Sequence, residues 1–297
     1  MKTKKPSMTA EMITMHRARE YLMPESQRIC NDPYAGFFIS QEILNKYKNP
    51  LKRVVVGTFL RNFVYPGING SIVARVRYID DYLETCIEKG LKQLVVIGAG
   101  YDTRAHRFEE LKKNAKVFEI DFPGTQERKK RILAEIFDSI PEHVVFVPIR
   151  SENDKLDNML FENGYDNHLK TLFIMEGVIM YMPPETVDET LAFIAENTGE
   201  GSSVIFDLLE RSVINGTSKL REAKSMLKAV NKLDEPFLFG LDPNEIEDFL
   251  TIKGFCDVKS VNRKFYKDVY FKGKNRKRKT SGIFTFVHAT VGEQQKG

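Results

Sequence analysis

The stretch Leu94-Val95-Val96-Ile97-Gly98-Ala99-Gly100-Tyr101-Asp102-Thr103-Arg104 decides the fold. A short apolar run, rich in β-branched residues, stops at Gly-Ala-Gly and reads as a buried strand entering a tight turn. Glycine there permits dihedrals closed to other residues and lets a ligand come close to the backbone. Downstream, Lys116-Val117-Phe118-Glu119-Ile120-Asp121 reads as a second short strand that ends in an acid. An acid in that place suits ribose hydroxyls at the nucleotide-binding end of an open α/β sheet. A plainer reading also stands: a strand-to-helix turn that needs glycine for its backbone alone.

A pyrophosphate-binding motif would want glycine at 98, 100 and 103, and position 103 is Thr. That disfavours a nicotinamide-dependent oxidoreductase. It fits a nucleoside without a pyrophosphate, for which S-adenosylmethionine is the candidate.

From Lys92 onward strand and helix alternate. Strands are expected at 94–97, 116–121, 144–149, 171–175 and 202–207, with helices near 104–113, 124–137, 153–163, 184–198, 217–233 and 243–253. Asp242 and Pro243 suit the start of the last helix. Repeated βα units specify a parallel sheet with helices on both faces. Two further strands, about 256–271 and 283–291, imply a terminal antiparallel hairpin. Upstream, helices are expected over 8–23, 35–46, 51–64 and 71–89, with turns at Asn31-Asp32-Pro33 and Pro66-Gly67 and a stop at Gly90. In the helix 71–89, Asp80, Asp81, Glu84 and Glu88 fall near one face, and Ile79, Tyr82, Leu83, Cys86 and Ile87 form the apolar one. The chain 1–297 thus reads as one domain, with 8–89 a helical cap on an α/β core at 92–291.

Composition excludes several classes. The hydrophobic fraction of 42% and charged fraction of 29% are those of a globular protein. No apolar run reaches the ~20 residues that span a bilayer, and no apolar segment follows the basic N-terminus as a secretory signal would require. Cys30, Cys86 and Cys256 are odd in number and far apart, which argues against a disulfide framework or zinc site and suits a reducing cytoplasm. The formal net charge of +4 is uneven, because Lys272, Lys274, Arg276, Lys277, Arg278 and Lys279 crowd one segment. A solvated hairpin loop is the expectation there.

The motifs Gly98-Ala99-Gly100-Tyr101-Asp102-Thr103-Arg104, Phe118-Glu119-Ile120-Asp121-Phe122-Pro123 and Met175-Glu176-Gly177-Val178-Ile179-Met180-Tyr181-Met182 resemble the leucine carboxyl methyltransferase family. The resemblance is to its bacterial and archaeal branch of O-methyltransferases of the polyketide-biosynthesis type. It extends to Asn31-Asp32-Pro33-Tyr34-Ala35, Ala74-Arg75-Val76-Arg77, Gly240-Leu241 and Phe286-Val287-His288-Ala289, covering about residues 10 to 291 in order.

This resemblance implies a Rossmann-like class I methyltransferase fold: a seven-stranded, mostly parallel sheet with a C-terminal antiparallel hairpin. It implies S-adenosyl-L-methionine as cofactor. Arg75 would hold the methionyl carboxylate, Gly98, Ala99 and Gly100 would underlie the amino-acid portion, and Asp121 would bind the ribose. Glu176 would bind the methionyl amino group, Ile149 would pack on adenine, and Tyr181 would border the methyl-transfer position as the catalytic candidate. Arg28 would be a second cation from the cap. No metal is implied.

One departure is visible. Relatives end the third strand in Asp-Leu, and here Pro148-Ile149 stand instead, so Glu152, Asn153 or Asp154 would have to supply the adenine acid. Plainer roles stay open for each residue: a surface pair of Arg75 with Asp80 or Glu84, helix caps for Asp121 and Glu176, and a core place for Tyr181.

The five histidines lack ligand-like spacing, and no general base is identifiable. This leans the expected acceptor toward a carboxylate or acidic hydroxyl on a small molecule or peptide, because a carboxylate needs no base. The rivals are an inactive methyltransferase-like interaction module and an RNA methyltransferase anchored by residues 272–279. Neither a membrane partner nor, beyond that rival, a nucleic acid is expected.

Overall fold

The computed structural model describes residues 7–40, 42, 67–151, 154–232 and 235–292. Among them the helix expected at 51–64 and most of that at 35–46 lie outside the described residues. Residues 35–38 form a single 3-10 turn.

Strand β1 (Gln93–Ile97) is buried along its whole length. Its side chains alternate, as a strand requires: Leu94 and Val96 join one core, Val95 and Ile97 the other. The same split divides Leu172 and Ile174 from Phe173 and Met175 in β4 (Thr171–Met175). A sheet covered on both faces reads as continuous apolar runs rather than alternating ones.

The remaining strands are β2 (Lys116–Asp121), β3 (Val144–Pro148), β5 (Ser203–Leu209), β6 (Phe255–Val261) and β7 (Phe284–Val291). They form one seven-stranded sheet in the order β3-β2-β1-β4-β5-β7-β6. β7 runs antiparallel to both of its neighbours, and every other pairing is parallel. The order reverses between β1 and β4, where an open α/β sheet leaves a crevice at the strand carboxyl ends.

Helix α1 (Met8–Tyr21) begins at Ser7, whose side chain accepts from the Ala10 amide. Helix α2 (Ile68–Glu88) lies on the sheet, burying Val73, Val76, Ile79 and Leu83 in the same core as Leu94 and Val96. Of the span 8–89, α2 is thus a sheet-packed layer. Its Asp80 is not on a solvent face: it is 7% exposed and pairs with arginines, as described below. Gly90, at φ 85°, closes the helix as expected.

The helix expected at 104–113 breaks at Phe108 into α3 (Arg104–Arg107) and α4 (Glu109–Asn114), because Phe108 adopts an extended backbone. Next come α5 (Pro123–Ile136), α6 (Leu156–Glu162), α7 (Pro184–Glu196), α8 (Arg211–Ile214) and α9 (Arg221–Lys232). Helix α10 (Ile246–Ile252) starts later than Asp242, whose amide instead donates to Glu245 Oε2 at 3.1 Å.

The expected strand 256–271 is half strand and half helix. β6 ends at Val261, the Asn262 side chain then accepts from the Lys264 amide, and α11 (Arg263–Tyr270) follows with Tyr266 buried. Capping by Asn outcompetes extension once the edge strand has no further partner. β6 and β7 are antiparallel neighbours, but the basic segment is not a hairpin loop. It turns through residues 273–275, and Arg278 donates to both Glu20 oxygens at 2.7 and 2.6 Å. Gly67 and Gly70 at the start of α2 lie against the backbone of Lys279 and Thr280, where a Cβ would clash.

Candidate active site

At the carboxyl end of β1 the chain turns through Gly98 (φ 66°) and Gly100 (φ 50°), both in the left-handed region that favours glycine. A Cβ on Gly98 would drive into the Val178 side chain, and one on Gly100 would lie 3.2 Å from Ala10 of α1. Ala99 is buried, and its amide donates to the Ile120 carbonyl at 3.0 Å. The glycine turn is therefore pressed between the loop after β4 and helix α1.

Asp121 closes β2 and sits beside this turn. Its carboxylate accepts from the Gly100 amide at 2.5 Å and the Phe122 amide at 2.6 Å. Burial raises its pKa, and those two amides partly offset the rise. The acid accepts from neither of the α5 amides of Thr125 and Gln126, which donate to the Phe122 carbonyl, so in place of the cap of its plainer reading it ties β2 to the glycine turn. Ile149 lies alongside, donating its amide to the Asp121 carbonyl at 2.9 Å. Asp154, a candidate replacement acid for adenine, is engaged with the Arg150 and Ser151 amides at 2.6 and 3.2 Å. Glu152 and Asn153 lie outside the described residues.

Arg75 does not pair with Asp80 or Glu84. Its Nε donates to Glu176 at 3.1 Å and its Nη1 to Asp207 at 2.6 Å, with the guanidinium over Gly177. Glu176 also accepts from Arg104 Nη1 at 2.8 Å. Arg104 in turn holds Asp102 and, through Nε at 2.8 Å, Asp80, which Arg107 also grips. A continuous buried network thus joins α2, the glycine turn, and the ends of β4 and β5. It contains three guanidiniums and four carboxylates.

Environment separates the carboxylates. Burial alone would raise Glu176, but Arg104 and then Arg75 more than offset it and hold its pKa below the usual value. Asp102 is held low in the same way by Arg104, then Lys129 and Arg17, against its burial. Asp207 is raised, because burial outweighs Arg75 and the Gly177 amide that donates to it at 2.6 Å. Two donors of the network are left over: among the described residues, Arg104 Nη2 and Arg107 Nε are buried and have no hydrogen-bond partner. Buried donors without partners are uncommon and costly.

Tyr181 lies in a 3-10 turn, residues 179–181, beside the network and packs on Phe237 with ring centroids 5.1 Å apart. Burial and then Glu235 raise its pKa, so it stays a neutral phenol. Arg28 is turned away, donating to the Met23 carbonyl at 2.8 Å and lying over the Tyr21 ring.

The sequence reading therefore brings Arg75, Gly98, Gly100, Asp121, Ile149, Glu176 and Tyr181 to one end of the sheet. It gave Asp80 only a surface pair with Arg75, quoted Asp102 and Arg104 only as members of the glycine motif, and assigned no role to Arg107 or Asp207. Asp102 and Arg104 stand inside the glycine motif itself, and Asp207 is the lone acid in the strand Ser203-Val204-Ile205-Phe206-Asp207-Leu208-Leu209. A charge inside a fully buried strand signals a partner.

Helix α1 covers this end. Arg17 donates to the Tyr101 carbonyl at 2.6 Å and pairs with Asp32, and Glu11 meets Arg128 at 3.0 Å. Asp32 in turn accepts from the amides of Tyr34 and Ala35, the turn expected of Asn31-Asp32-Pro33.

Residues 10–195 match the sequence profile of the family described as leucine carboxyl methyltransferase. The chain is 28% identical over 254 residues to the Bacillus subtilis protein named "Putative S-adenosyl-L-methionine-dependent methyltransferase YktD", covering 85% of this chain and 81% of that one. A Mycobacterium ulcerans protein named "Putative S-adenosyl-L-methionine-dependent methyltransferase" is 31% identical over 202 residues, covering 66% and 64%. Among solved structures, a "putative methyltransferase" from Thermobifida fusca superposes with a TM-score of 0.55 at 14% identity, over 97% of this chain and 96% of that one. At that identity the likeness shows the fold alone. With well over half of its length matched by the profile, the chain belongs to the leucine carboxyl methyltransferase family.

Proposed function

We propose that the protein is an S-adenosyl-L-methionine-dependent methyltransferase that methylates an oxygen, a carboxylate or acidic hydroxyl, on a small molecule or peptide. The observation that carries this reading is the buried network of three arginines and four carboxylates beside the glycine turn. Its excess of one negative charge suits a ligand whose sulfonium and ammonium outnumber its carboxylate by one. Buried charge is costly unless it is matched.

The residues fit such a cofactor. Gly98 and Gly100 hold a left-handed turn at the end of β1, Asp121 keeps lone pairs beyond its two amide bonds, and the unpartnered Arg104 Nη2 suits a carboxylate oxygen. Arg75, Gly98, Ala99, Gly100 and Glu176 would hold the amino-acid portion, Asp121 the ribose, and Ile149 the adenine face. Because Arg75 is already gripped by Glu176 and Asp207, Arg104 joins it as a candidate for the carboxylate. When bound, the cofactor supplies an electrophilic methyl on a good leaving group.

The chain's own contribution is position and exclusion of water, which converts a bimolecular step into an effectively unimolecular one. Helix α1 covers the glycine turn, and Tyr181, a neutral phenol, borders the acceptor side as the catalytic candidate. A carboxylate acceptor is favoured because it needs no base, and here the network's acids are in ion pairs, Asp121 is held by two amides and Tyr181 stays a neutral phenol. Residues 8–40 would act as a cap on a single domain whose core is 92–291.

The test is calorimetric titration with S-adenosylmethionine and S-adenosylhomocysteine of wild type and the Asp121→Ala and Arg75→Ala variants. Micromolar binding is expected, weakened at least about tenfold by each substitution, or ~1.4 kcal/mol. A folded wild type that binds neither ligand would overturn the reading. Hydrogen exchange of 8–40 should slow on binding if this segment closes over the cofactor.

A further inference from the structure

A cavity of about 390 Å³ opens at the same end of the sheet, at its other edge. The end of β6 (Ser260, Val261, Asn262), the start of β7 (Thr285), Glu210 after β5, and the first turns of α11 form its walls. The sheet register locates it. Asp207 of β5 pairs with Phe286 of β7, which pairs with Val261 of β6. Two strand spacings separate Asp207 from the cavity wall, about 10 Å. Asp207 is the residue that holds Arg75.

The charge of the cavity is polarised. Arg263, Lys264 and Lys267 line the α11 side, and Glu210, next to β5, lines the side nearer the cofactor cleft. Lys264 is paired with Asp268 at 2.8 Å. Arg263 and Lys267 meet no carboxylate within ion-pair distance among the described residues. Their charges belong to a broader field: between residues 258 and 283 there are ten lysines and arginines and a single acid, Asp268. Arg278 of that run is used up by Glu20. Arg263 and Lys267 of the cavity are not.

We propose that this cavity binds an anionic end of the methyl acceptor, a phosphate or carboxylate group held two strand spacings, about 10 Å, from Asp207. The proposal rests on the methyltransferase reading for the word acceptor, but not for the anion site itself. A guanidinium and an ammonium facing a recess suit such a group by charge and by hydrogen bonding. The α11 amides beyond the Asn262 cap add partial positive charge. The acidic Glu210 wall keeps the anion on the α11 side, away from the cofactor's negative network. The acceptor class is then an elongated, terminally anionic small molecule.

The experiment titrates inorganic pyrophosphate and citrate separately into the full-length protein by calorimetry, with Arg263→Gln, Lys267→Gln and the outer-run Lys274→Gln/Lys277→Gln variants. Saturable binding of at least one anion is expected, weakened about tenfold by either cavity substitution and less than about twofold by the outer pair. Stronger pyrophosphate binding assigns a phosphate end, and stronger citrate binding a carboxylate end. Absence of saturable binding, or equal loss in the outer pair, overturns the proposal. So does tight, steeply salt-dependent capture of a single-stranded RNA oligomer that the outer pair abolishes, which assigns the field to nucleic acid. S-adenosylmethionine titrated into the same samples separates the readings: its failure in wild type sinks the methyltransferase assignment and leaves the anion result standing.

Discussion

Replacement of Gly98 by alanine tests the glycine turn through two separable costs. Gly98 has φ 66°, and a Cβ there would enter the Val178 side chain. The left-handed backbone costs an alanine about 1–2 kcal/mol. Forcing a methyl into an occupied place adds about 1–3 kcal/mol. Gly98→Ala should therefore lose about 2–5 kcal/mol, a large share of the ~5–15 kcal/mol that holds a typical domain together. Val178→Ala removes the γ-carbons that the new methyl would strike. In the double variant the steric part should vanish, giving a favourable coupling of about 1–3 kcal/mol, while the backbone part remains. Urea unfolding of the four proteins, followed by far-ultraviolet circular dichroism, measures this cycle. Coupling below about 0.5 kcal/mol would refute the contact between the turn and Val178. A double variant as stable as Val178→Ala alone would refute the claim that position 98 needs glycine for its backbone.

Three other perturbations probe the same construction. Asp207→Ala strips Arg75 of one buried partner and should cost about 3–5 kcal/mol, whereas Asp268→Ala, which breaks the exposed pair with Lys264, should cost less than about 1 kcal/mol; equal losses in urea titrations would contradict the burial argument. His106 is fully buried, stacks on Phe137, and is pushed down to about 3, first by burial and then by Lys129. The unfolded chain therefore takes up a proton that the folded one refuses, and stability falls as pH drops from about 6.5 toward 3. His106→Leu should flatten urea midpoints across that window, removing up to about 1.4 kcal/mol per pH unit, and an unchanged slope would count against it. Glu20→Gln weakens the hold on Arg278 and should speed hydrogen exchange in residues 273–281, while Lys274→Gln leaves it unchanged.

The sequence by itself determined the order and type of the strands, because β-branched runs such as Leu94-Val95-Val96-Ile97 report burial on both faces directly. It also determined the glycine turn and the acid of β2, since each is a local requirement of backbone or ligand. Tertiary structure decided the partners of the charges. Arg75 is 101 residues from Glu176 and 132 from Asp207. No spacing in the chain states that the ends of β4 and β5 meet α2. Asp80 sits where helical periodicity gives a solvent face, yet it is buried because Arg104 and Arg107 arrive there from the glycine turn. Residues 262–270 carry the mixed pattern of an edge strand, and only the end of pairing at Val261 and the Asn262 cap turn them into a helix. Local propensity and periodicity are properties of neighbours in sequence. The pairing of buried charges is set by whichever elements the sheet order brings together.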